Sequence, residues 1–490
     1  MDLLVALDIG TSSVRSIAYD LQGQAQAAFA KEIGLSFPEP RYVEQDPAEI
    51  LSAALEVLRL LENELKKMPA RAISIGITNQ RETVIAFDSE SGKACYNAIS
   101  WQDGRGLDLC SDLIDQGLSP LIRQKTGLEL NPYFSATKMT WLTKNGYLAS
   151  ARRPKLVTVD AFIAWHLMGA NPAIEPVTDP SNASRTLLYN LDSLAFDEEL
   201  TEIFGIDFKH LPNLVNTAEI ALAIAPGMPF SGVTIGSIIG DQQSSLFGQG
   251  MITPMSTKVT HGTGTFAVAN VGQKRISPKT EVLESIAWKI GDQSPTYCLE
   301  GSIFTSGVVM RWLRDSLGLI SNYSEIDTMA SSVQSSDGVV VIPAFQGLGA
   351  PYWRTDARGA IFGISTATTP AHIIRASIEG VVMRTQEVIE AMERASGSKV
   401  ETLSTDGGLS TSNFVCQLQA DQTRIPTVRA KASEATAFGA ALLAGISQEV
   451  IDLPQVAEIT RSTSTFNPSP SAYSAKARRE NWNKYIAKIL

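Results

Sequence analysis

The chain has 490 residues, too many for one compact core, and a rule of about 150 residues per domain points to two large domains. Lys and Arg number 41 against 51 Asp and Glu, a net charge of −10, which disfavours a general nucleic-acid or acidic-membrane binder that needs surplus cations. At 44% hydrophobic and 19% charged the composition is that of a globular protein and excludes a disordered one.

The N-terminus, MDLLVALDIG, lacks a basic leader and is interrupted by Asp8, and no apolar run reaches the ~18 residues of a membrane span. Cys95, Cys110, Cys298 and Cys416 form no C-x-x-C pair, so zinc ribbons and redox dithiols are disfavoured and a reducing, cytoplasmic setting is expected. The chain opens as strand, turn and strand: Leu3 to Leu7, then Asp8-Ile9-Gly10-Thr11-Ser12-Ser13, then Val14 to Tyr19. Asp46-Pro47-Ala48-Glu49 reads as a capped helix start, followed by Ile50, Leu51, Ala54, Leu55, Leu58 and Leu61 at helical spacing. A strand over 73–78 leads into Asn79-Gln80-Arg81-Glu82. Strand, helix and strand imply an α/β domain. Beyond Gly240 the hairpin pattern returns over Lys258 to Asn270, around Gly262-Thr263-Gly264-Thr265. Thr369 and Pro370 cap a long amphipathic helix with Ile374, Ile378, Val381, Val382, Val388, Ile389 and Met392 on one face. A further strand ends at Asp406-Gly407-Gly408.

Each Asp/Gly/Thr turn alone is more often a plain tight turn than a phosphate loop. Together, Gly10 to Ser13 and Gly262 to Thr265 offer backbone N–H groups and hydroxyls that would clamp a polyphosphate from two sides. Asp8 would hold hydrated Mg²⁺, and Gly407-Gly408 would let an adenosine lie against backbone. Arg81 supplies a planar fork of donors and Glu82 an acceptor, suited to adjacent hydroxyls of a polyol, although a surface Arg-Glu pair has the same appearance. Trp101 is either core or an apolar wall for a small sugar, and Tyr133 either packs or binds. Asp241, between Gly240 and Gln242-Gln243, is placed to accept a hydroxyl proton or to cap a helix. His261 has no visible partner and reads as packing.

These strings resemble the FGGY carbohydrate kinases, and within them the glycerol-phosphorylating branch, over nearly the whole chain. The resemblance rests on Asp8 to Arg15, Gly76 to Thr83, Ala98 to Asp103, Pro132 to Lys138 with Trp141, Asn182 to Thr186, Gly240 to Gln243 and Pro343 to Trp353. The stretches Tyr133 to Asn145 and Gly359 to Glu379 resemble the two family signatures. It implies a two-domain actin/Hsp70-like (ribonuclease H-like) α/β ATPase fold with an interdomain cleft, divided as 1–246 and 247–490. The implied activity is ATP-dependent phosphorylation of glycerol to sn-glycerol 3-phosphate with Asp241 as base and ATP and Mg²⁺ bound. Another small polyol or sugar as acceptor, or a catalytically silent nucleotide-binding regulator, is the alternative. By that resemblance Arg81, Glu82, Tyr133 and Asp241 bind the polyol, Gln242 assists, and Trp101 and Phe266 wall its carbon face. Thr11, Ser12, Ser13, Arg15, Thr263 and Gly264 serve the phosphates, and Gly307, Gly408 and Asn413 the nucleoside. The Arg81-Glu82 pair is usually lacking in pentulose kinases and so favours glycerol. Ile9, Arg311 and Ser412 depart from common family residues near the nucleotide. The implied partner is the small-molecule polyol, with no nucleic acid and no membrane span; a homo-oligomer is left open. Some bacterial relatives are inhibited by fructose 1,6-bisphosphate through a Lys- and Arg-bearing loop before Gly-Asp-Gln-Gln. The matching stretch, 217–239, has neither residue, so no such regulation is expected through it.

Overall fold

In the opening strand, Asp2–Ile9, both faces are apolar, and both are buried. Leu3, Val5, Leu7 and Ile9 pack toward Ile50, Ala54, Val57 and Leu58 of the helix Pro47–Leu65, whereas Leu4 and Ala6 join Ala440, Ala441 and Leu443 of the helix Ala435–Ser447. A strand covered on both sides reads as a continuous apolar run, which is why Leu3 to Leu7 show no polar alternation. The first helix starts as expected: Asp46 caps it by accepting the N–H of Ala48, with Pro47 in the first turn. The computed structural model describes residues 1–276, 281–354, 356–432, 434–469 and 473–490.

Two sheets of like topology build the molecule. The six-stranded sheet runs, in spatial order, Ala218–Ala223, Thr234–Gly240, Arg71–Asn79, Asp2–Ile9, Ser13–Asp20 and Ala25–Glu32. The seven-stranded sheet runs Leu283–Trp288, Thr296–Ile303, Thr265–Gly272, Ser256–His261, Thr402–Asp406, Thr427–Arg429 and Thr465–Phe466. In each, a strand forms a hairpin with the next, a third strand extends the antiparallel side, two strands add in parallel on the other side, and an antiparallel strand follows. The hairpin expected to recur after residue 258 is thus part of a repeated sheet.

The parallel strands bring their carboxyl ends to one edge, the usual ligand edge of such sheets. Ile9 and Gly240 both pair with Asn79, so Asp8, the segment Asn79–Glu82 and Asp241 emerge side by side. In the second sheet Thr260 pairs with Asp406 at the corresponding edge. The helix Ala435–Ser447 lies on the first sheet although it follows the second in sequence. There a Cβ on Gly76 would stand 2.1 Å from the Ala440 carbonyl oxygen, so only glycine permits that approach. The long helix Pro370–Ser396 is capped at Thr369, and all seven apolar residues of its expected face are buried. Among the described residues no helix is long and apolar enough to cross a membrane.

Candidate active site

Arg81 and Glu82 leave the end of Arg71–Asn79 and turn inward; both are only 2% exposed, so they are not a surface pair. Glu82 has φ 64, a left-handed conformation that a non-glycine residue adopts at some cost. In sequence Arg81 presents an open fork of donors; in the structure both of its terminal nitrogens are taken by protein groups. Its Nη1 donates to Glu300 Oε2 at 2.8 Å and to Gln243 Oε1 at 3.1 Å, and its Nη2 donates to Glu300 Oε1 at 3.3 Å. Arg185 completes a quartet, donating from Nε to Glu82 Oε1 at 2.6 Å and from Nη2 to Glu300 Oε1 at 3.2 Å. Burial opposes the Glu300 charge, but Arg185 and Arg81 overcome it and hold its carboxyl at about 2. Burial likewise opposes the Arg81 cation, and Glu300, Glu82 and Asp241 outweigh it.

Two donors of this quartet are left over. Arg81 Nε lies 3.0 Å from Asp241 Oδ1, yet it and Arg185 Nη1 are buried without a hydrogen-bond acceptor. Unmet buried donors are costly, and a hydroxyl-bearing ligand would satisfy them. Asp241 is the first residue of the helix Asp241–Gly248, with Gly240 at the cap position; its Oδ1 accepts the first-turn N–H of Gln242 at 2.7 Å, and the carboxylate remains partly exposed. Gln242 is turned to the second sheet, where its Oε1 accepts from Lys258 Nζ at 2.5 Å. Lys258 is fully buried; burial lowers its pKa, and Asp406 and Asp241 oppose that shift.

Beside these groups lies a cleft of about 740 Å³ whose lining includes Trp101, Tyr133 and Phe266 together with Thr263 and Gly264 of the second turn. The Trp101 and Tyr133 rings meet edge-on with centroids 5.7 Å apart. Trp101 also donates from Nε1 to Thr11 Oγ1 at 2.9 Å, tying the acceptor wall to the first turn. The turn carrying Tyr133 is held from beneath by Lys138, whose Nζ donates to the carbonyls of Pro132, Tyr133 and Phe134 at 2.8, 2.6 and 3.2 Å.

The first turn is closed by Gly10 N–H donating to Ser13 O at 3.0 Å, and Ser12 is exposed. Arg15 pairs across the hairpin with Asp8 and forms an ion pair with Glu434. Burial, and next the charge of Asp241, pushes Asp8 up to about 7 against the pull of Arg15. Gly307 opens the helix Gly307–Asp315 against the second turn: its N–H donates to Gly262 O at 3.0 Å, and a Cβ there would meet that oxygen at 2.5 Å. Gly407, at φ 85, packs on His261, whereas nothing lies within 4 Å of a Cβ on Gly408. Asn413 begins the helix Asn413–Thr423; its Oδ1 accepts from Arg429 Nη2 at 2.6 Å, so this group is already engaged. Arg311 is exposed on the helix that Gly307 opens, and Ser412 Oγ donates to Asp327. His261 does have partners, Thr265 Oγ1 at 2.9 Å and Gln419 Oε1 at 2.8 Å, and is a satisfied buried histidine.

The profile of the FGGY family of carbohydrate kinases, N-terminal domain, matches residues 3–248, and that of the C-terminal domain matches residues 257–448. The chain belongs to this family. It is 40% identical to a glycerol kinase of Paraburkholderia phytofirmans, covering 99% of this chain and 97% of that protein, and 39% identical to glycerol kinase 2 of Thermotoga maritima, covering 100% and 99%. A crystal structure of Plasmodium falciparum glycerol kinase with ADP superposes with a TM-score of 0.95 at 30% identity, covering 100% of this chain and 98% of that one. A ligand-bound xylulose kinase of Lactobacillus acidophilus, at 23% identity and a TM-score of 0.89, shares the fold. This FGGY kinase therefore has the two-domain α/β fold that its sequence resembles, and it is an enzyme of the kinase class.

Four residues of this FGGY kinase went unassigned in the sequence. Arg185 sits inside the string Asn182 to Thr186, and Glu300 and Lys258 are each the lone Asp, Glu, Lys or Arg of a strand, a signal that a buried partner exists without saying which. Lys138 ends the string Pro132 to Lys138, but nothing there says that its ammonium holds the turn carrying Tyr133.

Proposed function

We propose that this kinase transfers the γ-phosphoryl group of ATP to glycerol, giving sn-glycerol 3-phosphate and ADP, in the cleft between the halves 1–246 and 247–490. The observation that carries the reading is the pair of unmet buried donors, Arg81 Nε and Arg185 Nη1, next to Asp241 and a wall of Trp101, Tyr133 and Phe266. Polar groups on one side and rings on the other match a three-carbon polyol, whose hydroxyls lie along one edge and whose C–H bonds lie along the other.

Asp241 takes the proton of the attacking hydroxyl as the new O–P bond forms in line with the breaking P–O bond to ADP. Arg81 orients that carboxylate, and Glu82 with Tyr133 fixes the remaining hydroxyls. Gln242, held by Lys258, supports the base from the second sheet. Thr11, Ser12, Ser13 and Arg15 from one turn and Thr263 and Gly264 from the other bind phosphate oxygens; Gly307, Gly408 and Asn413 lie along the nucleoside. Because the Asn413 side-chain carbonyl accepts from Arg429 and its backbone N–H donates to Asp327 Oδ2 at 3.1 Å, its contribution to the nucleoside is limited to its side-chain amide donors. Closing the halves excludes water and so limits ATP hydrolysis.

Asp8 is the residue for Mg²⁺. Among the described residues no three acidic, His or Cys side chains gather as a metal cage, but Mg²⁺ usually keeps waters and needs only one or two carboxylates beside substrate phosphates. The raised Asp8 and the buried, unpartnered Oδ1 of Asp406 are the kind of unmet negative sites a hydrated cation relieves. Bound there, Mg²⁺ would supply neutralisation of phosphate charge. The four cysteines are free thiols, in keeping with a reducing cytoplasm. A panel of acceptors tests the assignment: kcat/KM for glycerol should exceed that for erythritol, dihydroxyacetone and xylulose by at least ~10². A higher value for any of the three would reassign the acceptor.

A further inference from the structure

A second cavity, of about 140 Å³, opens beside the acceptor cleft and is lined by Trp101, Tyr133, Phe134, Phe266, Phe304 and Trp353. Four of these rings, Trp101, Tyr133, Phe266 and Phe304, also face the larger cleft, so the two spaces share a wall. Leu283 adds a buried aliphatic face. Its polar lining is slight: Asn131, Ser302 and Glu129, whose carboxylate is already paired with Arg123. Trp353 is placed there at some conformational cost, with φ 51, and is fixed by Nε1 donating to Glu281 O at 2.9 Å while its ring meets Phe304 edge-on at 6.4 Å. Glycerol carries a hydroxyl on every carbon and gains nothing by entering an aromatic cavity where those hydroxyls lose their partners. A space of this size is comparable to apolar cavities that take up a benzene ring.

We infer that this cavity is a subsite for an apolar substituent on the acceptor, so that the kinase binds glycerol ethers bearing a short alkyl or phenyl group in competition with glycerol. The inference rests on the reading of the neighbouring cleft as the glycerol site. The chemistry that recognises such a ligand is divided between the two spaces: the free hydroxyls meet the Arg81–Glu82–Asp241 side, and the ether substituent lies among the rings.

Affinities of the full-length protein for glycerol and for its 1-O-methyl, ethyl, butyl and phenyl ethers, measured by calorimetry and by competition against glycerol, test this. Burial of each added methylene should tighten binding roughly fourfold, so the butyl ether should bind about 50-fold more tightly than the methyl ether. Trp353→Ser should flatten that series while leaving the KM for glycerol unchanged, and Leu283→Phe, which fills the cavity, should flatten it by exclusion. If either variant fails to fold, the series on the wild-type protein still decides. A flat or falling series in a protein that binds glycerol normally overturns the subsite alone. Absence of glycerol binding overturns both the subsite and the acceptor reading beneath it.

Discussion

Ser181 Oγ accepts the backbone N–H of Gly240 at 2.8 Å, one residue before Asp241. The Ser181 hydroxyl is in turn donated to Asp179 Oδ1 at 2.8 Å, and Asp179 also accepts from Asn182 Nδ2 at 3.0 Å and from Thr217 Oγ1 at 2.7 Å. Asn182 Oδ1 accepts from Asn79 Nδ2 at 3.0 Å, and the same short turn carries Arg185 to Glu82. One buried carboxylate thereby sets the position of the proposed base and of the proposed acceptor ligands together. Ser181→Ala strands the Gly240 N–H, a loss of about 1–3 kcal/mol. Steady-state kinetics should find kcat lowered about tenfold with the KM for ATP unchanged. An unchanged kcat would show that the Gly240 contact does not position Asp241.

Within the Arg81–Glu82–Arg185–Glu300 quartet two cations balance two anions, each side chain at most 2% exposed. Removing one member leaves a buried charge without its counter-charge, typically a loss of 3–5 kcal/mol. Glu300→Gln should therefore lower the thermal midpoint by several degrees as well as raising the KM for glycerol well above that for ATP. Arg81→Ala and Glu82→Ala should do the same. Loss of affinity for glycerol at an unchanged midpoint would assign these residues to binding alone, without the structural role.

Stability in the absence of nucleotide should carry the signature of Asp8. The folded carboxyl titrates at about 7 and the ordinary value is 3.8, so between the two the folded state retains a proton that the unfolded chain has released. That contribution is fully present below about pH 4 and is lost as pH rises through about 7. Asp8→Asn removes the slope. The thermal midpoint of the variant relative to wild type should shift in the variant's favour between pH 5 and pH 8; a difference that is the same at both would contradict the account.

The parts legible in the sequence are those fixed by local chemistry. Asp46-Pro47 announces its helix, Thr369-Pro370 announces the long one, and both Gly/Thr hairpins follow from strand-like runs on either side of a Gly/Thr turn. The return of the hairpin after residue 258 was legible as an echo of the first, whereas the parallel strands that complete each sheet were not. Partnerships across distant segments were not legible. Arg81 appears in sequence as an open fork, and only the arrival of Glu300 from a strand of the other sheet turns that fork away from the ligand and leaves Nε beside Asp241. His261 looked partnerless because Gln419 comes from a helix far along the chain.

The loop expected to lack a bisphosphate site packs as a turn. Phe230 is buried in the first core at 5% exposure, Gly227 has φ 86, and the Phe230 N–H donates to Glu62 Oε1 at 3.3 Å, so the loop meets a carboxylate there, whereas a phosphate needs cationic partners. Activity titrated against fructose 1,6-bisphosphate at fixed glycerol and ATP should stay flat into the low millimolar range. Inhibition that disappears when residues 225–233 are altered would defeat this.

The most direct test of glycerol phosphorylation at Asp241 is ADP release at saturating Mg-ATP, measured with and without glycerol, in wild type and in Asp241→Asn. Glycerol should raise release by at least ~10² in the wild type, and the variant, still folded and still binding ATP, should lose nearly all of that increment. Release that is indifferent to glycerol, or a variant that keeps more than about a tenth of the wild-type increment, would contradict the assignment of acceptor or of base respectively.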